Sequence, residues 1–77
     1  MNQMNQMNQI NSLNSIEAIV LDEAVANALE VLKRHNAMQI KRISAFGMSL
    51  LQCEAHACDA PALLDACAKA GVDAYIR

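Results

Sequence analysis

Residues 39–55 read QIKRISAFGMSLLQCEA, and this stretch decides how the whole chain folds. Two β-like runs, Gln39–Phe46 and Met48–Ala55, flank a single glycine, Gly47, at which the chain can reverse tightly. We therefore predict a β-hairpin. The alternative is one continuous helix through residues 38–56, but its interior would contain two serines and a glycine, which have poor helix propensity.

A strand and a helix are predicted before the hairpin. Ser15–Leu21 is rich in strand-forming residues and is too short for a helix of its own. Glu23–His35 has apolar residues at the helical spacing i, i+3, i+4 and i+7, and Asp22 stands where an N-cap belongs. Asn36 can adopt the left-handed conformation that ends a helix. The apolar stripe of this helix consists of Val25, Ala28, Leu29 and Leu32.

A second helix and a closing strand are predicted after the hairpin. Asp59 can cap this helix, Pro61 fits its first turn, and Gly71 stands just past its end. Val72–Arg77 then alternates between apolar and polar residues, which is typical of a strand. The buried stripe of the second helix consists of Leu63, Leu64, Cys67 and Ala70.

The resulting order is strand, helix, strand, strand, helix, strand, which predicts an α+β fold of the ferredoxin-like βαββαβ split type. With right-handed crossovers, both helices cover one face of a four-stranded antiparallel sheet of order 4-1-3-2. Residues 15–77 are expected to form this single domain. Residues 1–14, MNQMNQMNQINSLN, repeat Met-Asn-Gln and carry no charge, which predicts a flexible leader.

Composition excludes several classes of protein. A length of 77 residues allows one domain, and a net charge of −2 with a single Tyr, a single Phe and no Trp disfavours nucleic acid as a partner. No apolar run approaches the ~18 residues of a membrane span, so no membrane contact is expected. Three cysteines, an odd number, do not suggest a secreted disulfide framework. A cytoplasmic location is the expectation.

The sheet face away from the helices is predicted to be apolar, whereas an open sheet face is usually polar. Strand alternation directs one set of residues at the helices: Ile16, Ala18, Val20, Leu51, Cys53, Ala74 and Ile76. It leaves a second set on the open face as the predicted interface: Ile19, Leu21, Phe46, Met48, Leu50 and Tyr75. A large exposed apolar patch normally marks an interaction surface.

The thiols and one imidazole form a candidate metal site in the sequence, beside the thioethers of the Met-x-x-Met-x-x-Met leader. Cys53, His56, Cys58 and Cys67 have the spacing C-x2-H-x-C-x8-C, which could supply a tetrahedral zinc site. The spacing does not match a CxxC knuckle, and Cys53 and Cys67 are expected in the core, where a free cysteine acts as a small apolar residue. No metal or other cofactor is therefore predicted.

The stretch LLDACAKAGVDAYI, residues 63–76, is similar to the final helix and strand of heavy-metal-associated domains. The resemblance implies the βαββαβ order of those domains. They also carry a Met-x-Cys-x-x-Cys loop after their first strand. Here residues 20–25 read VLDEAV and contain no thiol, so the resemblance does not imply copper delivery.

The sequence predicts a small, non-enzymatic protein-interaction module with a regulatory or inhibitory role. Its size, acidity and lack of a catalytic constellation are typical of the small inhibitors and adaptors of phages and mobile elements. The expected partner is a protein, foremost a second copy of the chain bound through the open sheet face. The alternative is a module that binds zinc or copper through Cys53, His56 and Cys58.

Overall fold

The computed structural model describes residues 12–77, and its helices and strands follow the predicted order. The hairpin is confirmed, and a continuous helix across residues 38–56 is excluded. Residues 1–11 of the predicted leader lie outside the described residues. The elements are β1 (Leu13–Leu21), a 3-10 helix (Asp22–Ala24), α1 (Val25–Arg34), β2 (Met38–Ala45), β3 (Met48–His56), α2 (Ala60–Lys69) and β4 (Asp73–Ile76).

The four strands form one antiparallel sheet of order β2-β3-β1-β4, as predicted. This order and the two helices give an α+β fold compatible with the ferredoxin-like split. β1 begins at Leu13, two residues before its predicted start, and pairs with β3 along its full length as far as Leu21. The two long strands β1 and β3 therefore form the centre of the sheet, and the edges are β2 and the short strand β4.

The core lies between one face of the sheet and the two helices. β1 and β3 contribute alternate residues to it, and each helix contributes one stripe, so both helices pack on the same face. Of the helix residues predicted to be buried, Leu29 and Leu64 are only half-buried and Ala70 is exposed. The buried core residues are Ile16, Ala18, Val20, Val25, Ala28, Leu32, Leu51, Cys53, Ala55, Ala60, Leu63, Cys67 and Val72.

Both helices end as predicted, in a left-handed residue. Asn36 has φ 66° and Gly71 has φ 77°. After α1, the Ala37 amide donates to the Leu32 carbonyl at 3.0 Å, and after α2 the Val72 amide donates to the Cys67 carbonyl at 2.8 Å. Each of these bonds joins residues five apart, satisfies a carbonyl that the helix leaves free and is the signature of a Schellman motif.

The predicted N-cap position is wrong for Asp22 and confirmed for Asp59. Asp22 lies inside the 3-10 helix rather than before α1, and its carboxylate contacts Ser49 and Arg42 instead of a helix amide. Asp59 does precede α2, but its side chain makes no capping hydrogen bond. An interaction with another strand has replaced the local one at Asp22, which a sequence pattern cannot foresee.

Candidate interaction surface

The open face of the sheet carries its side chains in rows that cross the strands. Residues paired directly in an antiparallel sheet share a face, so the strand registers define these rows. The turn row is Leu21, Met48 and Ala45; the central row is Asp73, Ile19, Leu50 and Ile43; the polar row is Tyr75, Glu17, Gln52 and Lys41. The turn and central rows are apolar except for Asp73, at the β4 edge.

Six of these side chains form one contiguous surface, which we call the apolar patch: Ile19, Leu21, Ile43, Met48, Leu50 and Tyr75. Leu50 lies at its centre, because it pairs with Ile19 on one side and with Ile43 on the other. Leu50 is half-buried by these neighbours, and the other five side chains are exposed. The five predicted strand residues of the interface therefore do share one face of the sheet.

Phe46, the sixth predicted interface residue, lies in the turn at the end of the patch rather than in a strand. Its side chain is fully exposed, and its φ is 56°. Gly47 follows with φ 78°, so both central residues of the two-residue turn have positive φ, as a type I′ turn requires. Such a conformation is rare for a bulky residue, and nothing in the described fold packs on this ring.

The polar row borders the apolar patch and is organised around one carboxylate. Gln52 Nε2 donates to Glu17 Oε2 at 3.0 Å, and the Tyr75 hydroxyl donates to Glu17 Oε1 at 2.8 Å. The hydrogen bonds from Gln52 and Tyr75 lower the pKa of Glu17, because they favour its charged form. The same bond to Glu17 raises the pKa of Tyr75, which keeps its proton as the donor.

Opposite charges stand at the two edges of this face. Lys41 lies on β2, at one end of the polar row, and Asp73 lies on β4, at the far end of the central row. Neither side chain forms a salt bridge with another of residues 12–77. The β2 edge of the open face therefore carries the positive charge of Lys41, and the β4 edge carries the negative charge of Asp73 together with Arg77, directly after the strand.

The helix side of the β2–β3 hairpin holds a separate polar network. Ser49 is buried there and donates to Asp22 Oδ1 at 2.5 Å, while Arg42 Nε donates to the hydroxyls of Ser44 at 2.9 Å and Ser49 at 3.1 Å. Arg42 Nη2 is 3.6 Å from Asp22 Oδ1. These contacts attach the hairpin to the start of the 3-10 helix, so the network supports the fold.

The candidate metal ligands are not brought together. Cys53 and Cys67 are buried in the core, whereas His56 projects from the opposite face of β3 and Cys58 is exposed after that strand. No group of three potential metal ligands occurs among residues 12–77. Desolvation raises the pKa of the Cys53 thiol to about 11 and also raises the pKa of Cys67, so both keep their protons at neutral pH.

Ile43 is the residue of the patch that the sequence analysis missed. A signal for it was present, because a two-residue turn at Phe46 and Gly47 places Ala45 opposite Met48. Counting back two residues on β2 and forward two on β3 then pairs Ile43 with Leu50, on the open face. Ile76, predicted to face the helices, does pair with Ile16 on that face but stays half exposed on the edge strand.

Comparison with known proteins gives no guide to this surface. No protein-family model matches the chain, and no curated protein and no solved structure matches it. Among residues 12–77, no helix has the length and apolar character needed to cross a membrane.

Proposed function

We propose that the protein is a small, non-enzymatic interaction module that forms a homodimer through the open face of its sheet and acts as a regulator or inhibitor. The observation that supports this proposal is the apolar patch, six side chains on a sheet face that neither helix covers. An antiparallel sheet with one solvated face normally carries polar residues there. A contiguous apolar surface of this kind marks a contact with another macromolecule.

Energetics favour covering this face. A domain of ~60 residues buries only about 60% of its unfolded surface and is marginal alone. Removing the exposed part of each patch side chain from water contributes on the order of 1 kcal/mol, and a symmetric dimer gains this in both subunits. Dimerisation would therefore add stability to the two-layer fold without a partner of different sequence.

A second copy is the proposed occupant because the face is complementary to itself. Its centre is apolar, and charges of both signs surround that centre: Lys41 on β2, Glu54 on β3, Asp73 on β4 and Arg77 directly after β4. Such a surface can meet its own copy without placing like charges in contact. The fully exposed Phe46 extends this surface at the turn. Three free cysteines fit a reducing compartment, so we place this role in the cytoplasm.

Two isoleucines with similar exposure provide a matched test. Ile43 is 54% exposed on the open face of one edge strand, and Ile76 is 48% exposed on the opposite face of the other edge strand. In Ile43→Glu, an unpaired charge would enter the desolvated interface, at a cost of several kcal/mol per dimer. We expect sedimentation equilibrium to show a dimer for the wild type and for Ile76→Glu, and a monomer for Ile43→Glu.

The central residue of the patch gives the second arm of the test. Leu50→Glu should be monomeric by light scattering, and its melting temperature should lose the dependence on protein concentration that the wild type shows. A wild-type protein that is monomeric at millimolar concentration would contradict the dimer. If Leu50→Glu then keeps its fold and loses a host protein that the wild type captures, the face binds a foreign target instead.

A further inference from the structure

We infer that the two subunits pack with β3 of each over β1 of the other and β2 of each over β4 of the other, and that Lys41 and the partner's Asp73 fix this arrangement. The inference rests on the proposed dimer and specifies its recognition residues. It follows from the order of the strands and from the position of the charged residues on the open face.

Two open sheet faces can meet about a two-fold axis that lies between them, and two directions of that axis matter. An axis parallel to the strands reverses the order of the strands but keeps each row over its own copy. An axis perpendicular to the strands keeps each strand over its own copy but reverses the order of the rows. The two arrangements bring different side chains together, so the residues of the rows distinguish them.

The parallel axis places each row over its own copy with its order reversed. In the central row, Leu50 of one subunit lies over the partner's Ile19, at the middle of the apolar patch. In the polar row, Lys41 lies over the partner's Tyr75 and next to the partner's Glu17. The partner's Asp73 is one row away, ~7 Å along the strand, a distance that a lysine side chain can span. The partner's Arg77 is one row away in the other direction, where it lies next to the row that contains Glu54 of the first subunit.

The perpendicular axis leaves charged side chains unpaired. To stack the two apolar rows on each other, it passes between the turn row and the central row. The polar row of each subunit then extends past the partner's turn row, so Glu17 of one subunit has no cation of the sheet face opposite it. Lys41 would lie beyond the partner's hairpin, with no carboxylate opposite. Charge complementarity therefore selects the parallel axis.

Charge reversal tests the assignment. Lys41→Glu places an acid opposite the partner's Asp73, and Asp73→Lys places a base opposite the partner's Lys41, each twice per dimer. We expect each single variant to weaken the dimer about tenfold by sedimentation equilibrium, because two weak attractions become repulsions. The double variant exchanges the two charges and should return to within about threefold of the wild type. Lys33→Glu, the same change on an exposed residue of α1, should have no effect.

A mixture of the two single variants gives the sharpest result. A heterodimer of Lys41→Glu with Asp73→Lys contains one acid–base pair at each position, whereas each homodimer contains two like-charged pairs. The mixture should therefore form heterodimers with near wild-type affinity, as measured by native mass spectrometry of two isotopically distinct chains. An effect of either substitution within its own subunit could not produce this rescue.

Failure of this inference differs from failure of the proposed dimer. If the wild type dimerises but the single variants match it, or if mixing them restores nothing, the arrangement is wrong although the dimer stands. If the wild type is monomeric, the proposed dimer itself is wrong, and the arrangement falls with it. If association depends on the patch and the mixture restores it, both are supported.

Discussion

At the scale of single residues, the carboxylate of Glu17 is the best-defined polar group on the open face. Gln52 and Tyr75 both donate hydrogen bonds to it, and its pKa is lowered as a result. In Tyr75→Phe one of the two donors is lost, so we expect the pKa of Glu17 to rise toward the ordinary glutamate value of about 4.3. A carbon-13 titration of the side-chain carboxyl measures this, and an unchanged pKa would contradict the hydrogen bond.

The same group predicts a pH dependence of stability. A carboxyl whose pKa is lower in the folded than in the unfolded state stabilises the fold above the unfolded value. That contribution is lost as the pH falls through the folded pKa. Wild type and Tyr75→Phe should therefore differ most in free energy of unfolding near neutral pH, and the part of the difference due to Glu17 should vanish in acid.

The residue scale also shows where the sequence analysis succeeded and where it did not. Alternation along β1 and β3 was enough to place Ile19 and Leu50 on the open face, because a period of two leaves only two choices. Asp22 was assigned to a helix cap, whereas its partner Ser49 lies 27 residues away on another strand. Local patterns identify groups with local partners, and they miss a group whose partner the tertiary fold supplies.

At the scale of elements, the β2–β3 turn conflicts with its own sequence. Type I′ turns favour Asn-Gly, but here the first position is Phe46, with φ 56° and no packing partner. Phe46→Asn should therefore stabilise a single subunit by about 1 kcal/mol, because asparagine tolerates this conformation better. Chemical denaturation in the monomeric Leu50→Glu background measures this gain without a contribution from association.

The same substitution should weaken the dimer in the wild-type background, since Phe46 extends the proposed interface. A variant that is more stable as a subunit but associates less tightly would explain why a phenylalanine occupies the turn. Unchanged association would remove Phe46 from the interface. Unchanged subunit stability would show that the turn carries no backbone strain.

Strand β2 shows a second limit of sequence patterns at this scale. Its register shifts between Met38 and Lys41, where Gln39 has φ 52°, and this irregularity changes which residues face the helices. Met38 and Ile43 both pair with open-face residues of β3, Glu54 and Leu50, which simple alternation from Met38 would not give. A bulge with charged neighbours also protects an edge strand from pairing with another sheet. We therefore propose the open face, rather than this edge, as the surface for self-association.

At the scale of the whole molecule, the fold class was predictable because six elements in the order βαββαβ leave few topologies for one small sheet. The helices cover one face and leave the other with its apolar patch exposed. Composition shows that 55% of the residues are hydrophobic but not where they lie. Only the strand registers show that apolar side chains outside the core gather in adjacent rows of the open face.

The most direct test of the account is an isotope-filtered NOE experiment on a dimer assembled from one labelled and one unlabelled chain. We predict NOEs between the Leu50 methyls of one subunit and the Ile19 methyls of the other, across the centre of the open face. The isotope filter suppresses NOEs between two methyls of the same chain, so the signals that remain arise only between subunits. If no NOE joins the two chains through this face at millimolar concentration, the central claim, that a second copy covers the apolar patch, is wrong.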